Sequence, residues 1–210
     1  MGLLRQPTSD ITKGVIWKQL LAFFFPLWFG TFFQQLYNTV DTLVVGRFVG
    51  KVALAAVGST GSINFMINGF CIGAATGFAI PVAQKFGAGD YKGMRKFVAN
   101  AGYLAAVFAV VMTAAVGVLC MDILRWMNTP EDIIQGAYDY IFVIFLGIPV
   151  TYLYNMLAGI IRSLGDSKTP VYFLLLSSLM NIGLDFFTIL VLGMGVGGPA
   201  LATVISQGIS

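Results

Sequence analysis

The stretch VYFLLLSSLMNIGLDFFTILVLG, residues 171–193, decides the fold. One charged side chain, Asp185, interrupts a run otherwise apolar enough, at more than about 20 residues, to cross a bilayer as a helix. Residues 19–40, 52–84, 97–121 and 140–161 are runs of similar length with no charge at all. A last run starts near Pro199 and stops at Ser210 after about a dozen residues, too few to span. Over the 210 residues, 58% are hydrophobic and 10% charged, with mean hydropathy +0.86. Ordinary globular domains carry roughly 25% charged residues. The chain therefore reads as an all-α integral membrane protein, a six-transmembrane-helix bundle with helices at about 17–41, 52–83, 97–121, 138–161, 170–192 and 199–210, the sixth cut short. A β-barrel would need segments of about ten residues alternating apolar and polar, and none of these runs alternates. The first run is too long and begins too far in for a cleaved signal peptide.

Basic residues set the expected orientation. With the N-terminus in the cytoplasm, nine lysines and arginines lie inside, among them Lys85, Lys92, Arg95, Lys96, Arg162 and Lys168, and three lie outside, Arg47, Lys51 and Arg125. The net charge of +3 is thus membrane topology, and no nucleic-acid partner is expected. Trp17, Trp126 and Tyr138 fall at span ends, where aromatic belts form. Cys71 and Cys120 lie within spans and make no disulfide or metal motif. The chain has no histidine, which excludes imidazole bases and Cys/His zinc sites.

Two carboxylates lie at membrane depth. Asp185 is about 15 residues into the fifth helix, roughly 22 Å along it, and Asp41 is about 21 residues after Leu20 in the first, roughly 31 Å along. Both helices run outward, so the two acids share the outer leaflet and could face each other. Each belongs to a polar stripe at helical spacing: Ser178, Asn181, Asp185 and Thr188 on one helix, Gln34, Asn38 and Asp41 on the other with Tyr37 beside them. Thr60, Asn64 and Asn68, then Thr151 and Asn155, then Thr203, Gln207 and Ser210 mark three further helices. Polar groups in lipid turn toward one another or toward water, so a polar interior opening outward is expected, unless the uncharged stripes only bond helix to helix. An ionised carboxylate at depth costs roughly 2.5–3.5 kcal/mol or more, which points to function at Asp185. The pair could load a proton, or with the Asn181 amide and Thr203 hydroxyl hold a sodium ion. Occupancy would then bias one helix packing over another.

Pro26 and Pro149 interrupt the backbone ladder of their helices and mark kinks or hinges. Gly58, Gly61, Gly69, Gly73 and Gly77 in the second helix suggest close helix packing. GMGVGG at 193–198 fits G-x-G-x-x-G but follows an apolar helix and lacks the acidic partner, and RSLGDSKTP lacks Walker spacing. No HExxH, GxSxG or paired DDxxD is present, so neither an enzyme nor a cofactor is expected.

Four segments in order, FPLWFG with QQLYNTVDTLVVGRFVG (25–50), FGAGDYKGMRK (86–96), GIIRSLGDSKTP (159–170) and NIGLDFF (181–187), resemble the multidrug and toxic compound extrusion (MATE) transporters. The likeness runs from about Val15 to Ser210, and the aspartates with the NxxxD pair are most similar to the DinF-like branch. The resemblance implies twelve helices in two six-helix lobes around a central cleft, with this chain as the N-terminal lobe and the second, C-terminal lobe absent. It implies a cation or proton site at Asp41, Asn181, Asp185 and Thr203, with sodium possible there. Gln34, Tyr37, Asn38 and Asn155 would form a supporting network, and Pro26 a hinge. It also implies export of amphipathic organic cations or drugs across the plasma membrane in exchange for protons or sodium. A lipid-linked oligosaccharide flippase of the same superfamily and a non-transporting membrane scaffold are the alternatives. The flippase would be expected to show a more cationic cavity.

Overall fold

The computed structural model describes residues 15–210, which are helical with no strand among them. In chain order the helices are α1 (Ile16–Val44), α2 (Lys51–Gly87), α3 (Tyr91–Trp126), α4 (Glu131–Leu146), α5 (Ile148–Ser163), α6 (Thr169–Phe186) and α7 (Gly197–Ile209). Both α1 and α6 run on into one turn of π-helix, Val45–Val49 and Phe187–Val191. Among the described residues four helical runs, Ile16–Val49, Lys51–Gly87, Tyr91–Trp126 and Thr169–Val191, are long and apolar enough to cross a membrane. The bent pair α4 and α5 meets the same criterion when taken together, which brings the number of apolar runs to five, and α7, at 13 residues, is shorter than a span. Large apolar side chains stand on the outside, Val110 66% and Val118 80% exposed, where lipid takes the place of water as their solvent.

The fourth span is broken. The kink expected at Pro149 is a 46° bend, α4 ending at Leu146 and α5 starting again at Ile148 after Gly147. The cause is local: Gly147 N–H closes α4 on the Val143 and Ile144 carbonyls, Pro149 has no N–H to continue the ladder, and Val150 and Thr151 donate back to the Gly147 carbonyl at 3.0 Å each. A Cβ at Gly147 would overlap the Val204 side chain, so α7 packs directly into the break. Pro26, in contrast, sits inside a continuous α1. Helices α2 and α3, of 37 and 36 residues, outrun the expected 52–83 and 97–121. Basic residues such as Lys85 and Lys92 end an apolar run without ending the backbone ladder.

The glycines of α2 correct a second expectation. A Cβ on Gly58, Gly61, Gly69, Gly73 or Gly77 would meet nothing within 4 Å, so none of them mediates close helix approach. The buried stripe of α2 is instead Ala53, Ala56, Thr60, Ile63, Ile67, Cys71, Ala75, Ala79 and Val82, spaced by three and four. This stripe faces α4 and α5, while Gly61 and Gly69 border a polar cavity.

Two turns at one end of the bundle share a design. Gly89 (φ 71°) and Gly165 (φ 88°) take the left-handed conformation that glycine favours, and each precedes an aspartate, Asp90 as the N-cap of α3 and Asp166 bonding the amides that lead into α6. Asp90 accepts the Gly93 N–H at 2.8 Å and the Lys85 ammonium at 2.9 Å; these bonds hold its carboxyl below the usual carboxylate range. At Asp166 burial pushes the carboxyl upward, but the Thr169 hydroxyl (2.6 Å) and the Thr169 and Lys168 amides (3.0 Å each) outweigh it and leave the net direction downward. Around these turns α1 lies against α6, α2 against α3, α4 and α5, and α7 against α4, α5 and α6.

Candidate cation site and central cavity

Asp41 and Asp185 both sit just before a π-helical turn. Asp41 is four residues ahead of Val45–Val49 and Asp185 two ahead of Phe187–Val191, and the two widened turns touch, with the Phe48 and Phe186 rings edge to face at 5.9 Å. Such turns recur at functional sites because the wider spiral re-aims side chains and frees backbone groups. Here the contact brings the C-terminal ends of α1 and α6 together, and Asp41 lies within electrostatic range of Asp185. Nothing in the apolar pattern of either helix signals the π turns.

The stripe on α6 is buried as a unit: Ser178, Asn181, Asp185 and Thr188 all face inward, Asp185 with no exposed surface. Asn181 Nδ2 donates to Thr203 Oγ1 of α7 at 3.1 Å, and Thr203 Oγ1 donates to the Pro199 carbonyl at 3.0 Å. The Thr203 proton being spent on Pro199, its oxygen must accept from Asn181, which turns the Asn181 carbonyl oxygen the other way. Asn181 Oδ1, Asp41 Oδ1 and both carboxylate oxygens of Asp185 are then buried acceptors without a hydrogen-bond partner. Four unpartnered oxygens, three of them on carboxylates, are an expensive arrangement in a low-dielectric interior unless a proton or cation joins them. The donor set is oxygen throughout, as hard cations require. Among the described residues no group of three or more His, Cys, Asp or Glu gathers, so any metal here would depend on the neutral Asn181 and Thr203 oxygens.

In front of these oxygens lies a cavity of ≈420 Å³ bordered by α1, α2, α4, α5, α6 and α7. Asp41 and Thr203 are on its wall, whereas Asp185 and Asn181 lie behind it. All four residues read as a supporting network, Gln34, Tyr37, Asn38 and Asn155, line it, as do Asn64, Asn68, Thr151 and Gln207. Thr151 donates to Gln207 Oε1 at 2.6 Å and Asn155 Nδ2 to the Thr151 carbonyl at 2.8 Å, which joins α5 to α7 beside Tyr37. Asn68 donates to Asn64 Oδ1 along α2. Among the described residues the wall contains no lysine or arginine. Pro26 borders no part of it. Tyr140 and Ser177 also line the cavity, and Tyr140, on α4, is within electrostatic range of both aspartates. An apolar-looking stretch such as AYDYIFVIF holds no polar stripe to single Tyr140 out.

A family model described as MatE matches residues 26–187. The chain belongs to the MATE family. The probable multidrug resistance protein YoeA of Bacillus subtilis (strain 168) is 33% identical over 205 residues, a match covering 95% of this chain and 44% of that protein. The DNA damage-inducible protein F of Escherichia coli (strain K12) is 28% identical over 194 residues, covering 90% of this chain and 41% of that protein. Among solved structures, a MATE protein crystallised in the straight conformation superposes with a TM-score of 0.87 at 27% identity, covering 97% of this chain and 45% of that one. The chain thus spans about half the length of the relatives it matches, and this MATE bundle has the architecture of one lobe.

Proposed function

We propose that this chain forms the N-terminal lobe of an antiporter that exports amphipathic organic compounds in exchange for protons or sodium. In this reading it lies in the plasma membrane with its N-terminus in the cytoplasm. Asp41, Asn181, Asp185 and Thr203 form the cation site, and the central cavity is the substrate wall contributed by this lobe. The other wall comes from a second lobe. The observation that carries the reading is the set of four buried oxygens of Asp41, Asn181 and Asp185 without hydrogen-bond partners beside the central cavity.

A cation arriving at these oxygens neutralises charge beside the contact of the two π turns, where α1 meets α6. Its departure leaves two carboxylates facing each other across that contact, which repel and favour a different packing. Coupling follows if substrate in the cavity and cation behind its wall prefer opposite packings. The absence of lysine and arginine from the wall supports an organic-cation substrate over a pyrophosphate-linked one. Efflux of a fluorescent organic cation from vesicles, driven by a pH gradient and then by a sodium gradient, tests the reading. One of the two gradients should drive efflux, and Asp185→Asn should abolish the coupling. Efflux that ignores both gradients, or survives the substitution, overturns it.

A further inference from the structure

A second cavity, ≈180 Å³, lies between α1, α5 and α6 and shares Gln34, Tyr154, Asn155 and Leu174 with the central one. Arg162, in the last turn of α5, lines it. Its guanidinium is half-buried and, among the described residues, has no ion pair or side-chain hydrogen bond. The acid nearest in sequence, Asp166, is already engaged by the Thr169 hydroxyl and by the Thr169 and Lys168 amides. Part of the lining contributed by α1 and α6 is apolar, Leu27, Val171 and Leu174, beside the polar Thr31 and Gln34. A planar fork of N–H donors, short of acceptors and partly out of water, is matched in geometry and charge by a phosphate or carboxylate. The adjoining apolar wall suits a hydrocarbon or ring system attached to that group.

We infer that the α1/α5/α6 cavity is an anion-recognising vestibule, Arg162 binding the phosphate or carboxylate of an amphipathic molecule whose apolar body lies toward the central cavity. Arg162 shares its end of the bundle with the two glycine–aspartate turns, so the molecule enters from that membrane face. It is therefore either the headgroup of an anionic lipid in that leaflet or the anionic group of a zwitterionic compound whose cationic end moves toward the central cavity. This rests on the transporter reading only in treating the bound compound as cargo.

Binding without any gradient tests it, so failure here leaves the antiport reading standing. Affinities of dodecyl phosphate and dodecyltrimethylammonium are measured for the protein in phosphatidylcholine nanodiscs. Arg162→Gln should weaken dodecyl phosphate by about tenfold or more, the effect of losing a charge-assisted bond, and leave the ammonium compound within about twofold. Arg162→Lys, which keeps the charge but loses the fork, should lie between. Adding phosphatidylglycerol to the discs separates the two sources. If lipid is the occupant, it suppresses dodecyl phosphate binding in the wild type but not in Arg162→Gln; if it has no effect, the site serves compounds other than lipid. Equal loss of both probes in Arg162→Gln, or no loss of either, overturns the proposal.

Discussion

Replacing Thr203 by valine changes little volume and removes one hydroxyl, yet should weaken the cation site strongly. In the native arrangement the hydroxyl donates to the Pro199 carbonyl and accepts from Asn181 Nδ2, so Asn181 presents its carbonyl oxygen to the rest of the site. Valine leaves that NH2 group buried at a residue only 2% exposed, without an acceptor, a cost of about 1–3 kcal/mol. The amide escapes the cost by turning its NH2 toward the carboxylates, where it serves as a donor in the place a cation would take. The same 1–3 kcal/mol then appears as a loss of affinity of about 5- to 150-fold. The assay is the rise in melting temperature with sodium concentration, or with falling pH, for detergent-purified protein, since a ligand bound only to the folded state stabilises it by mass action. Thr203→Ser keeps the hydroxyl and should bind within a few-fold of wild type. Wild-type affinity in Thr203→Val, or an equal fall in Thr203→Ser, would refute this account of the amide orientation.

Further outcomes follow from the same geometry. Gly147→Ala should destabilise the bundle by about 1–3 kcal/mol through overlap with Val204, and Val204→Ala should recover at least half of that in a double-mutant cycle of thermal melts; strict additivity would count against the close packing. Asp90 has its carboxyl held below its unfolded value of roughly 3.9, so its stabilising contribution is present above that pH and lost as pH falls below it. Melting temperature should accordingly drop more steeply below about pH 4 in wild type than in Asp90→Asn, and parallel curves would remove the Lys85–Asp90 cap from the account.

Legibility of the site in the sequence followed charge rather than shape. Asp41 and Asp185 stand out because a carboxylate in an apolar run is costly, and the polar stripes around them could be read because helical spacing puts them on one face. The π turns could not be read, since each is a single turn at the end of its helix, with no further helical register after it in which a shift of phase could show. Pro149 signalled a kink, but the close seat of Val204 against Gly147, a contact between positions 57 apart, could not be read from it. Gly61 and Gly69 were misread because small residues mark close approach only when a partner helix is there, and at these positions the neighbour is a cavity. Arg162 looked like an ordinary inner-end basic residue; only the folding of α1 and α6 beside it makes it part of a wall.

The central claim, that the oxygens of Asp41, Asn181 and Asp185 share a cation, is tested most directly by counting cations bound at equilibrium. Bound radioactive sodium and proton uptake are measured together from pH 5 to 9, on wild type, on the Asp41→Asn and Asp185→Asn single variants and on the double variant. The account predicts that wild type holds about one more cation, as sodium or as a proton, with either single variant losing most of that excess. Identical binding in wild type and double variant across the whole range would contradict it.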